Sequence, residues 1–419
     1  MDHPGNNSSV RRYIAYTGTL GTTHLHLRNP YVIAFWSLVF PGLGHIMLNK
    51  YLTGYVLFIW EIIVNWKAHI NEAILFTFTG DFQNAGDILD INWVLLYLPT
   101  YIFAIWDSYR STVDHNNQFK LAAREDAEIK VFNISSLEIN HLDKRKPWNV
   151  AAWSALMPGL GQLITCRLPA AIFLMIWFII IAYLSKVLPA IYYSLTGQFN
   201  YTKAIIDPQW FLSIPSIYLG SIYGAYAYTV TSNKLFDWEQ AKFLKRNYQN
   251  IKFKMPLGKM AGRDERMYIV STFEHSIYLE LAITAIQTKG IAKENILTIP
   301  LDKKGEERNL FDTLHSSDGL SLFDLPMIMA TLFCIFGSIY GFILVWGPVV
   351  WGLIGLFTGF GLGFIIKLIS TRKYSNRQEK QKATEVVLII ECQENQLEIV
   401  KDSLWKHNAL GVSKLSLDN

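Results

Sequence analysis

WSLVFPGLGHIM, Trp36 to Met47, returns as WSALMPGLGQLI, Trp153 to Ile164. The two stretches lie 117 residues apart, and the same offset holds well beyond them without a gap. It pairs Pro30 with Pro147, Lys50 with Arg167, Trp60 with Trp177, Asp90 with Asp207, Trp93 with Trp210, Tyr101 with Tyr218 and Phe119 with Phe236. Agreement over about ninety positions is beyond chance and predicts a tandem duplication. The copies run over 29–130 and 146–250.

Each copy follows one plan. A short apolar helix (31–40; 148–157) meets Pro-Gly-Leu-Gly. A longer apolar stretch (45–66; 162–185), a loop and a last apolar helix (92–109; 209–230) follow, and then a charged tail. A membrane span needs about 20 residues, and the piece before the proline is roughly half that. Two readings stay open: a full span kinked at the proline, or a half-helix ended by Pro-Gly. Charge weighs for the half-helix. The loops 110–146 and 234–266 are rich in Lys and Arg and point to the cytoplasm, whereas 67–92 carries Glu72, Asp81, Asp87 and Asp90 and looks external. That pattern needs an even number of full spans per copy, which makes the copies parallel repeats.

Composition agrees. Hydrophobic residues make up 51% of the 419 and charged ones 17%, too few charges for a soluble chain of this length. The formal charge of +4 is spread among acids, so no nucleic-acid partner is expected. Cys166, Cys334 and Cys392 are far apart and form neither a disulfide framework nor a zinc site. Residues 1–28 read as a polar, cytoplasmic N-terminal tail without a signal peptide.

After residue 266 the texture changes. MYIVSTF (267–273), ENILTIPL (294–301), EVVLIIEC (385–392) and GVSKLSL (411–417) read as strands. Helices 275–290 and 395–408 fall between them, the second opened by an Asn395…Glu398 capping box. This β-α-β, β-α-β order over 266–301 plus 384–419 is the ferredoxin-like pattern. The insertion at 324–369 is a transmembrane hairpin that turns at Trp346-Gly347-Pro348. Gly355, Gly359 and Gly363 line its second arm four residues apart, a spacing that lets helix backbones approach. Lys367, Arg372, Lys373 and Arg377 follow, placing both ends of the hairpin and the whole α+β domain in the cytoplasm. The sequence therefore predicts an α-helical multi-spanning membrane protein, with about six spans plus two half-helices and a cytoplasmic ferredoxin-like domain.

Trp-Ser-x3-Pro-Gly-Leu-Gly followed by His45 or Gln162, a basic residue and a second apolar helix resemble a widespread bacterial family of small membrane modules with a PGLGQ-type signature. The ending FAIWDSYRSTVDHNN (103–117) is similar to that family's tail; the second copy departs there, Trp106-Asp107 becoming Tyr223-Gly224. The last third resembles uncharacterised bacterial proteins that join a ferredoxin-like fold to a glycine-zipper hairpin. The resemblance implies the bacterial cytoplasmic membrane and carries no established activity, cofactor or site residue.

Candidate residues come from the motif and its flanks. His45 and Gln162 follow the break at equivalent positions; they either meet a substrate or ion near the membrane midplane or satisfy groups freed by Pro-Gly. Lys50 and Arg167 either bind lipid phosphate or another anion or snorkel to the interface. Glu61, whose counterpart is Phe178, is an intramembrane acid or an outer-boundary one. His24 and His26 offer two metal ligands without a third nearby, so no metal is expected. Asp318 and Asp324 read as turn and cap residues. No Ser-His-Asp set, Walker loop or HExxH occurs, so neither a catalytic residue nor a cofactor is expected. Membrane lipid is the expected partner, with a homo-oligomer or protein partner open. Three classes remain: a structural or regulatory membrane protein with a ligand- or partner-sensing domain, a transporter or channel, and a membrane enzyme acting on lipid.

Overall fold

A computed structural model describes residues 11–249, 253, 266–301, 323–372 and 385–415. Asp318, the polar stretch 302–319, Lys373, Arg377 and most of 250–266 lie outside the described residues. The chain divides into two compact units, 1–231 with 308–376 and 232–307 with 377–419.

The first unit opens with a hairpin, β1 (Ala15–Gly18) and β2 (Gly21–His24). Residues 11–28 are thus folded rather than a plain tail, and His24, His26 and Arg28 are buried. Helices α1 (Pro30–Val39), α2 (Leu43–Met47), α3 (Tyr51–Ala68), α4 (Ile70–Thr79), α5 (Phe82–Ile88) and α6 (Ile91–Glu125) follow. A second hairpin, β3 (Phe132–Ile134) and β4 (Ile139–His141), leads to α7 (Pro147–Leu156), α8 (Leu160–Ile164), α9 (Leu168–Leu184), α10 (Val187–Leu195), α11 (Phe199–Ile205), α12 (Pro208–Phe211) and α13 (Ile214–Tyr248). The starts of α7 to α12 fall 117 residues after those of α1 to α6.

The local chemistry of the motif explains these boundaries. Asn29 caps α1 by accepting from the Tyr31 amide, and Pro30 occupies the first turn, where its lost N–H costs nothing. Gly42 and Gly159 sit at φ +93° and +101°, where a side chain would be strained. A methyl on Gly44 would strike Ser37 Oγ and the Ile33 carbonyl; on Gly161 it would strike Ser154 Oγ and the Val150 carbonyl. The motif's serine and second glycine are therefore the two sides of one close crossing between the short helix and the turn after it.

Two expectations change. The longer apolar stretch starts at Tyr51, not 45, because Asn49 (φ 60°) breaks the helix; Cys166 (φ 54°) does the same before α9. The supposed loop at 67–92 is helical, split at His69 (φ 55°) and Gly80 (φ 88°). Among the described residues, two helices could cross a membrane by length and composition, or up to four if each bent pair counts as one span, fewer than six. The breaks shorten the runs, and Glu61, Asn65 and Lys67 lower the hydropathy of α3. Trp36, Phe58, Leu174 and Tyr223 share one apolar core with Met327 and Cys334, the latter two from the hairpin described next.

The second unit includes β5 (Arg266–Phe273), α14 (Ile277–Thr288) and β6 (Ile296–Pro300). The hairpin of the first unit then intervenes: α15 (Asp324–Gly341) and α16 (Gly347–Arg372). The second unit resumes with β7 (Val386–Gln393), α17 (Leu397–Lys406) and β8 (Gly411–Leu415). The strands form one antiparallel sheet in the order β6-β7-β5-β8, over a core of Ile269, Phe273, Leu279, Ile283, Leu388 and Leu404. The capping box lies two residues earlier than Asn395…Glu398: Gln393 and Gln396 form it, since a short 3-10 turn at Glu394–Gln396 precedes α17. In the hairpin, a methyl on Gly355 or Gly359 would strike the Phe333 or Met329 carbonyl, and on Gly363 it would lie 2.7 Å from Pro326 Cα. These glycines face α15 of their own chain.

Candidate functional site

The helix breaks are tied down within each copy. His45 is fully buried, and its Nε2 lies 3.1 Å from Asp107 Oδ2 on α6. Ser111 on the same helix joins this group, donating to Asp107 at 3.4 Å and accepting from Lys50 Nζ at 2.6 Å. In the second copy the place of Asp107 is taken by Gly224. Gln162 reaches Ser221 instead, donating to its carbonyl at 2.9 Å, with Ser154 Oγ 3.3 Å from Gln162 Oε1. The sequence reading missed Asp107 and Ser221. An internal alignment held the signal, because positions 45 and 107 change together between the copies.

Lys50 and Arg167, equivalent in sequence, do different work. Lys50 is exposed, whereas Arg167 is 2% exposed and does not snorkel. Its guanidinium donates to the Ile46 carbonyl at 3.0 Å, Asn49 Oδ1 at 2.9 Å and the Tyr51 hydroxyl at 3.2 Å, all in the first copy. It also stacks 4.6 Å over the Tyr228 ring.

Glu61 is buried where the copies meet. Asn65 Nδ2 donates to it at 2.9 Å. Gln209 of the second copy donates to Asn65 Oδ1 at 2.6 Å, and Asn71 donates to the Gln209 carbonyl at 2.7 Å. Glu61, Asn65, Trp66, Gln209, Trp210 and Ser213 line a small pocket that is partly open to solvent. The pocket is narrow, fitting water better than a solute.

A further group of basic side chains gathers under the N-terminal hairpin. Asn116 on α6 clamps Arg28 through both its backbone N–H (2.9 Å) and carbonyl (2.8 Å). The ring of His24 lies 4.9 Å from that of His26, which lies 5.8 Å from that of His115. A third imidazole thus does approach the pair, yet no group of His, Cys, Asp or Glu among the described residues is placed to hold a metal. Burial, reinforced by Arg28 and Arg167, pulls His24 down to about 3. Burial also lowers Arg28, to about 10, which leaves it charged at neutral pH. Asp324 accepts the Tyr223 hydroxyl at 2.8 Å, so it opens α15 as a bonded carboxylate rather than a simple cap. The chain matches no protein-family model, no curated protein and no solved structure.

Proposed function

We propose that this is a multi-pass protein of the bacterial cytoplasmic membrane with a structural or regulatory role. Two parallel PGLGQ-type repeats form its anchor, and a ferredoxin-like domain on the cytoplasmic side senses a ligand or partner. The observation that carries this reading is how the hairpin is held. Its helices interrupt the sheet in sequence, β6 ending at Pro300 and β7 starting at Val386, while Met327, Ala330 and Cys334 pack into the core of the repeats. A change in the sheet domain therefore has a covalent route, at both ends of the hairpin, to a helix pair seated among the repeats. The sheet order β6-β7-β5-β8 supports the ferredoxin-like reading, and the close approach at Gly355 and Gly359 supports a glycine zipper inside the hairpin.

The pocket at Glu61 favours a second reading, a transporter or channel working between the copies. Its narrowness and the in-copy bonds of His45 and Gln162 weigh against that reading. Reconstituted vesicles separate the two. Regulation predicts ion and solute flux equal to that of empty vesicles, with hydrogen exchange in 267–301 and 386–415 slowing for some member of a panel of nucleotides, amino acids and divalent cations. Flux above empty vesicles that disappears in Glu61→Gln would replace regulation with transport.

A further inference from the structure

The basic group under the N-terminal hairpin has an unusual charge balance. Arg28 is 4% exposed and Arg167 is 2% exposed. Among the described residues, no carboxylate oxygen lies within 4 Å of either guanidinium. Arg167 is satisfied by neutral acceptors, but Arg28 Nε is buried and meets no acceptor among the described residues. Leaving a buried guanidinium N–H unmet costs the full desolvation of a charged donor. The Asp324 carboxylate attracts Arg28 from a distance without bonding it. His24 Nδ1 and His115 Nε2 are also buried without a hydrogen bond.

The His24 tautomer can be worked out. Thr231 donates its hydroxyl to backbone carbonyls of its own helix, at Ala227 and Tyr228. Its oxygen is then an acceptor for His24 Nε2–H at 2.9 Å. That leaves Nδ1 as a bare lone pair within electrostatic reach of the Arg28 cation. A ligand suited to both needs charged oxygens for Arg28 Nε–H and a hydroxyl to donate to His24 Nδ1. Hydrogen phosphate has both, as does the monoanion of a phosphate monoester. Sulfate, fully ionised at neutral pH, has no hydroxyl to give.

We propose that Arg28, His24 and His115 form a binding site for a phosphate group that keeps an acidic hydroxyl, either free hydrogen phosphate or the monoester headgroup of a lipid such as phosphatidic acid. Lys50, an exposed amine bonded to Ser111 one turn before His115 on α6, adds positive charge nearby. The site is separate from the helix breaks and does not depend on the regulatory reading.

The test uses full-length protein and its thermal midpoint. In detergent, inorganic phosphate should raise the midpoint in proportion to the logarithm of its concentration, and sulfate at equal ionic strength should raise it less. In nanodiscs, phosphatidic acid should raise it more than phosphatidylglycerol, whose diester carries no acidic hydroxyl. A response in detergent identifies free phosphate as sufficient, and a response only in nanodiscs identifies the lipid headgroup. Arg28→Gln should abolish the response and, in phosphate-free buffer, melt at or above the unsubstituted protein, because it removes an unmet buried charge. The proposal is overturned if phosphate and sulfate act alike, if neither format responds, or if Arg28→Gln melts lower yet keeps the response.

Discussion

The Arg167 guanidinium of the second copy donates to the Ile46 carbonyl of the first at 3.0 Å, joining the copies at the turn that follows each broken helix. Lys50, its sequence equivalent, makes no such bridge and bonds Ser111 within its own copy. Arg167→Ala strands the Ile46 carbonyl and Asn49, and should lower stability by about 2–4 kcal/mol in denaturant titrations. Lys50→Ala, at an exposed site, should stay within about 0.5 kcal/mol. Equal effects would mean that Arg167 is not the joint.

The glycines of the motif should separate by their surroundings. Gly44→Ala and Gly161→Ala force a methyl into Ser37 or Ser154 and a backbone carbonyl, and Gly42→Ala adds a left-handed φ. Each should cost more than about 3 kcal/mol or block folding. Gly80→Ala and Gly197→Ala also have positive φ, but nothing lies within 4 Å. They should cost about 1 kcal/mol. Thermal midpoints of the purified variants check the order.

The two break tethers should be interchangeable. Asp107→Gly alone strands buried His45 and should destabilise by about 1–3 kcal/mol. Adding His45→Gln and Ala104→Ser rebuilds the Gln162–Ser221 arrangement of the second copy at equivalent positions. The triple variant should recover most of the loss. A triple no more stable than Asp107→Gly would show that the copies hold their breaks differently.

Stability should fall with pH on account of His24. Its folded value, pulled by burial from 6.5 to about 3, keeps the ring neutral in the folded chain. The unfolded chain takes up a proton below pH 6.5, so the contribution of His24 is full above that pH and declines through the window down to about 3. Its slope approaches about 1.4 kcal/mol per pH unit. Denaturation in phosphate-free buffers at descending pH should give a shallower slope for His24→Gln than for the unsubstituted protein.

Accessible cysteines report the topology. Asp81→Cys and Asn200→Cys should label from outside intact cells, and Arg124→Cys and Glu398→Cys only after permeabilisation. Labelling of 81 and 200 from opposite sides would break the parallel scheme.

The strands of the second unit were legible to within two residues. Alternating runs such as MYIVSTF and EVVLIIEC carry the period of a sheet whatever they pack against. The PGLG breaks were legible too, since only glycine suits the left-handed turn and the close approach it makes. The sequence by itself determined the 117-residue recurrence and where each copy must bend, because those depend on local backbone sterics. Tertiary structure alone decided which polar groups meet. Asp107 finds His45 62 residues away, Arg167 finds Ile46 121 residues away, and the N-terminal hairpin carries His24 and Arg28 into the protein. Burial selects such partners by distance and desolvation, which no local pattern encodes.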